Sequence, residues 1–130
     1  MEYSEPEYVE ITPELKSRMD TFRDAHKGDP IGNVGDRILF EDDDVRIWEM
    51  KLEPGEASDL HRHDHNYYLV IFSGDMVAGV MPEVGPMGDA FIGKIPEKGN
   101  TVGVPKGNTE WAFNVGEKTY YEILIELKKT

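Results

Sequence analysis

Three of the four histidines in the chain fall on alternate residues, His61, His63 and His65, inside the segment GEASDLHRHDHNYYLVIFSG, residues 55–74. In an extended strand, residues i and i+2 project to the same side, so His61 and His63 can close on one ion. Neutral imidazole is a ligand for iron, zinc, copper or nickel, and a nearby carboxylate moves the preference toward a mixed nitrogen and oxygen site. By itself His-x-His is a weak signal, because two histidines on a surface strand give the same spacing. The fourth histidine, His26, falls near the end of a predicted helix, where positive charge is favourable, and reads as structural.

These side chains need elements to position them. Residues 1–11 read as an extended arm, and residues 13–27 as an amphipathic helix. Thr12 is suited to cap it, Pro13 to its first turn and Gly28 to its termination. Leu15, Met19 and Phe22 form its apolar stripe. After a Gly/Asp/Pro-rich loop the pattern changes to short strands: RILFE, DVRIWEMKLE, NYYLVIFS, MVAGVM, AFIGKI, NTVGVP, TEWAFNV and TYYEILIELKK. Turn signals separate them, including EDDD, EPGE, SGD, PEVGPMGD and PKGN. Many short strands between Gly/Pro turns predict an all-β antiparallel sandwich or barrel with one N-terminal helix. The expected division is an arm and helix at 1–37 and a β-barrel domain at 38–130.

Strand parity adds a constraint. TEWAFNV places Glu110, Ala112 and Asn114 on one face, with Trp111 and Phe113 on the other. NYYLVIFS places Tyr67, Leu69 and Ile71 opposite Tyr68, Val70 and Phe72. Both faces are apolar, so a second sheet, the helix or a partner subunit must cover the outer one. A homodimer is the expected assembly.

Composition narrows the function classes. The 130 residues fit one domain with its own core. A net charge of −12, from 26 acidic and 14 basic residues, opposes binding to nucleic acid or an anionic membrane. The absence of cysteine excludes disulfides, thiolate metal sites and a cysteine nucleophile. The polar, acidic start is unlike a secretory signal and no apolar run is long enough to span a bilayer, so a cytoplasmic location is expected.

Two segments resemble the paired motifs of the cupin family. The first motif is Gly, five residues, His-x-His, three or four residues, Glu, six residues, Gly. Gly55, His61, His63 and Gly74 match it in register, with Tyr67 in the Glu position. The second is Gly, five residues, Pro-x-Gly, two residues, His, three residues, Asn. Gly99, Pro105, Gly107 and Asn114 match it, with Glu110 in the His position. The resemblance covers roughly residues 40–128 and implies a jelly-roll β-barrel with a metal held inside.

Carried over residue by residue, it implies His61, His63 and Glu110 as metal ligands. That composition is the one found in two-histidine, one-carboxylate Fe(II) oxygenases. Tyr67 becomes a weak further ligand or a phenol that exchanges a proton with substrate, and His65 an orienting or catalytic group next to the ligands. Fe(II) is the metal expected first; Zn(II), Mn(II) and Ni(II) suit the same donors. The expected function is a metal-dependent enzyme of dioxygenase type acting on a small organic molecule, with lyase and isomerase chemistry also within the family. The alternative is a non-catalytic small-molecule-binding barrel that has lost its metal. Tyr67, Leu69, Ile71, Ala112 and Asn114 are expected to form the inner wall, and Trp48 and Met50 either join it or pack in the core.

Overall fold

The computed structural model describes residues 7–95 and 99–130. Among these described residues, ten antiparallel strands form two five-stranded sheets with one helix outside them. The first sheet has the order β1 (Glu7–Tyr8), β7 (Gly88–Lys94), β6 (Met76–Gly85), β9 (Thr109–Phe113), β4 (His61–Arg62). The second has the order β2 (Arg37–Glu41), β3 (Val45–Leu52), β10 (Tyr120–Leu127), β5 (Asn66–Ser73), β8 (Thr101–Val104). The arm is thus partly built into the barrel: Glu7 and Tyr8 pair with Lys94 and Gly93. Residues 1–6 of the arm lie outside the described residues.

Helix α1 (Pro13–Ala25) begins where its sequence dictates, with the Thr12 hydroxyl accepting from the Leu15 N–H at 3.2 Å and Pro13 in the first turn. It covers the outside of the first sheet. Phe22 stacks on Phe113 at 4.5 Å and meets Trp111 edge-on at 5.5 Å, while Met19 is buried among Val80, Ile92 and Trp111. Arg23 fixes its last turn, donating to the Met81 and Asp89 carbonyls at 2.7 Å each. His26 stacks on Phe22 and lies 3.1 Å from Asp29, as a structural residue would. The outer face of β9 therefore finds its cover within the chain.

The second sheet is covered differently. Its inner face carries Trp48, Met50, Tyr67, Ile71 and Leu124 into the core. Strand β10 has Tyr120, Glu122, Leu124 and Glu126 buried in alternation, so two glutamates point inward and Ile123 and Ile125 point outward. Glu126 is balanced by the Trp48 indole N–H at 2.6 Å and by Arg46 at 3.7 Å. Trp48 is consequently a core residue and not part of a cavity wall. On the outer face, register aligns Phe40, Ile47, Ile125 and Tyr68 in one row.

Two features depart from the sequence reading. PEVGPMGD is not wholly a turn: β6 runs through Pro82–Gly85 and the hairpin closes by pairing Gly85 with Gly88. The two-residue strands β1 and β4 are additional, since polar segments such as DLHRHD carry no strand pattern. No helix among the described residues is long and apolar enough to cross a membrane.

Candidate metal centre

His61 lies on β4 directly opposite Glu110 of β9, and this cross-strand pair founds the site. His63 continues the extended path just beyond β4, tied to the second motif by His63 N–H to the Asn108 carbonyl and Gly107 N–H to the His63 carbonyl, each 2.9 Å. That return contact needs Gly107 at φ +120°, a conformation that side-chain-bearing residues rarely adopt. Alternation then turns His61 and His63 inward and leaves Arg62 and Asp64 outside as a 2.7 Å ion pair. The imidazole rings of His61 and His63 stand at 88° with centroids 4.8 Å apart.

His61, His63 and Glu110 are all buried and each offers a donor atom within 4.8 Å of the others. His63 Nε2 and Glu110 Oε1 are 3.2 Å apart, while among the described residues Glu110 Oε2 and His63 Nδ1 have no hydrogen-bond partner. His61 Nδ1 lies 2.9 Å from the Asp59 carbonyl, which can only accept, so Nδ1 carries the proton and Nε2 keeps its lone pair. Burial, reinforced by the neighbouring His63, pushes the His61 pKa down to about 4, so its imidazole is neutral at pH 7. A neutral, anchored imidazole beside a carboxylate with an unused oxygen is a donor set that fits a divalent transition metal.

Gly79 of β6 makes room for this carboxylate. Its position is register-matched to Ala112 of β9 and Phe91 of β7, and a Cβ there would collide with Glu110 Oε2 and the Phe91 ring. Sequence reading missed Gly79, because a glycine within an apolar strand looks like any other small residue.

The three residues open on a cavity of about 60 Å³ between the sheets. Tyr67 belongs to its wall and stacks on His63 at 3.9 Å with a 13° interplanar angle. Burial and the nearby Glu110 raise the Tyr67 pKa well above its usual 10, so the phenol keeps its proton. Leu69 and Ala112 also line the cavity, as expected, and Met50, which the sequence leaves open between wall and core, lines it too. Ile71 instead lines an adjoining space of about 50 Å³ that shares Leu69, Val77, Phe91 and Tyr120 with the first. Asn114 is not on the wall: it organises the turn after β9 through the Leu52 and Lys118 carbonyls and the Gly116 N–H. His65, on the bend between β4 and β5, is outside both the metal-ligating group and the cavity lining. Tyr120 and Glu122, which sequence reading passed over, complete the wall from β10.

No protein-family profile and no curated protein matches the sequence. Solved structures do match. A cupin domain from Bordetella pertussis Tohama I superposes with a TM-score of 0.61 over 76% of this chain and 99% of its own, at 19% identity. A double-stranded β-helix domain from Klebsiella pneumoniae gives 0.55 over 82% of this chain and 86% of its own, at 16% identity. The fold is a cupin barrel. An oxalate decarboxylase shares it too, with a TM-score of 0.52 over 75% of this chain but only 27% of its own length, at 19% identity. His61 on β4 and Glu110 on β9 pair across neighbouring strands of the first sheet, and the candidate metal centre lies at that pair.

Proposed function

We propose that the chain is a metal-dependent cupin enzyme that acts on a small organic molecule inside the barrel. The observation that carries this reading is the buried group His61, His63 and Glu110, with donor atoms within 4.8 Å and one carboxylate oxygen unpaired. These three residues would hold a divalent transition metal, Fe(II) first, with Zn(II), Mn(II) or Ni(II) as other occupants. Two histidines and one carboxylate leave positions for substrate, and bound Fe(II) supplies dioxygen chemistry together with Lewis-acid polarisation of a carbonyl. A dioxygenase-type reaction is therefore our preferred assignment. A fold shared with an oxalate decarboxylase supports enzyme chemistry in such a barrel without specifying the reaction.

The chain's own residues divide the remaining tasks. Asp59 fixes the His61 tautomer through its carbonyl. Tyr67 holds a protonated phenol in the cavity wall, available to donate to a substrate oxygen. Leu69, Val77, Phe91 and Ala112 exclude water and strengthen every polar contact within. His65 has no place in this division of work.

One observation favours a second reading, a binding barrel without metal: His63 and Glu110 satisfy each other directly at 3.2 Å. Elemental analysis decides between the two. Untagged protein purified anaerobically should contain near one equivalent of metal, and Glu110→Ala and His61→Ala should lose it while keeping the wild-type circular dichroism. Tyr67→Phe should keep the metal and lower turnover in an oxygen-consumption screen. No metal in the wild type and no uptake of Fe(II), Mn(II), Ni(II) or Zn(II) would leave the binding barrel.

A further inference from the structure

The cavity has two unlike walls. The first sheet supplies His61 and Glu110, with His63 just beyond β4, and the second sheet supplies Tyr67, Tyr120 and Glu122. Glu122 is 3% exposed, and its register partners on either side are Met50 and Ile71, neither of which offers it a hydrogen bond. Tyr120 is its polar neighbour on the same face of β10, and among the described residues Oε2 has no hydrogen-bond partner. A buried carboxyl oxygen without a partner costs about 1–3 kcal/mol, and nothing in the packing of β10 requires an acid there. Glu126, four residues on along the same face, is balanced by Trp48 and Arg46; Glu122 is not. Among the described residues, no lysine or arginine lines this cavity.

We propose that Glu122, beside Tyr120 on the inner face of β10, is the specificity-determining group of the cavity, hydrogen-bonding a carbonyl or carboxylate oxygen of a compact organic ligand whose other end faces His61, His63 and Glu110. The inference rests on the metal-centre reading above, which supplies the far end of the ligand's site. The direction of the hydrogen bond follows from the surroundings. Burial pushes the Glu122 pKa up to about 8, so at pH 7 the carboxyl is neutral and has a proton to present. A neutral acid donates to an acceptor oxygen and has no charge with which to repel a carboxylate. The about 60 Å³ available limits the ligand to a few non-hydrogen atoms.

The experiment uses wild type, Glu122→Gln and Glu122→Leu, each loaded with Co(II), whose visible spectrum reports the ion's surroundings. Pyruvate and acetate are the probes, with propylamine as a cationic comparison. Cobalt content should be equal in all three proteins. Pyruvate or acetate should shift the wild-type spectrum, and Glu122→Gln, whose amide N–H can donate, should bind within about threefold of wild type. Glu122→Leu should bind roughly tenfold more weakly, the loss expected for one net hydrogen bond. Unchanged anion affinity in Glu122→Leu with cobalt retained overturns this proposal alone. So does a wild-type spectrum that neither anion moves, or tighter binding of propylamine than of either anion. Wild type that takes up no cobalt overturns the metal reading and this proposal with it.

Discussion

His61 and Glu122 face each other's sheet across one cavity, and burial moves their pKa values in opposite directions, to about 4 and about 8. The consequences for stability are opposite in sign. Between about pH 4.5 and 8, folded protein keeps the Glu122 proton that the unfolded chain has released, so stability falls as pH rises through that window. Between about pH 4 and 6.5, folded protein has shed a His61 proton that the unfolded chain still holds, so stability is lost as pH falls. Replacing Glu122 isolates one of these contributions. In metal-free urea titrations, Glu122→Gln should gain on wild type between pH 5 and pH 8.5 by up to about 4 kcal/mol. An equal difference at both pH values would mean that the carboxyl ionises as freely as in water. Much of this residue-level chemistry was legible beforehand, because His61, His63, Tyr67 and Glu110 stand at fixed motif spacings. Glu122 was not, since a glutamate in YYEILIEL reads as the solvent side of a strand.

At the scale of elements, the site depends on close approach of β6 to β9. Gly79→Ala would place a methyl group against Glu110 Oε2 and the Phe91 ring, both in a packed interior. The expected cost is about 1–3 kcal/mol of stability, typical of overpacking. Metal occupancy should fall as well, because the carboxylate must turn to escape. Chemical denaturation and elemental analysis measure the two effects separately. Retention of full metal content in Gly79→Ala would mean that Phe91 gives way instead. Long elements with strong end signals were readable: α1 from Thr12 and Pro13, and β5 from its aromatic and β-branched run. Strand β4 was not, because two residues held by a partner strand leave no periodicity to detect. Its pairing with β9 is a tertiary fact that local sequence does not contain.

At the scale of the molecule, the two sheets differ in what lies outside them. Helix α1 covers β6 and β9, while no described element packs over the outer face of the second sheet, with its row Phe40, Ile47, Ile125 and Tyr68. Phe40 is 53% exposed and Phe72, whose ring lies tilted against Tyr121 at 5.9 Å, is 59% exposed. We propose that a second copy of the chain covers this face, pairing like with like about a two-fold axis. Light scattering should give twice the chain mass for the wild type. Phe72→Glu together with Phe40→Glu should give a single-chain mass at unchanged metal content. A single-chain mass for the wild type at all concentrations would remove the dimer.

The inverted pattern of β10 has a consequence for how the chain finds its fold. Shifting this strand by one residue relative to its neighbours would bury Ile123 and Ile125 and release Glu122 and Glu126 to water, an exchange that apolar burial favours. Native pairing prevails because β10 is central, zipped to β3 along Tyr120–Leu127 and to β5 along Tyr121–Leu127, with an irregularity between Tyr121 and Glu122 that sets its phase. The slipped strand would pack a more conventional hydrophobic interior, yet Glu122 would leave the cavity. Competence in this barrel is thus a matter of choosing the less greasy of two alignments, and a refolded preparation can be native in strand content while lacking the wall that recognises its ligand.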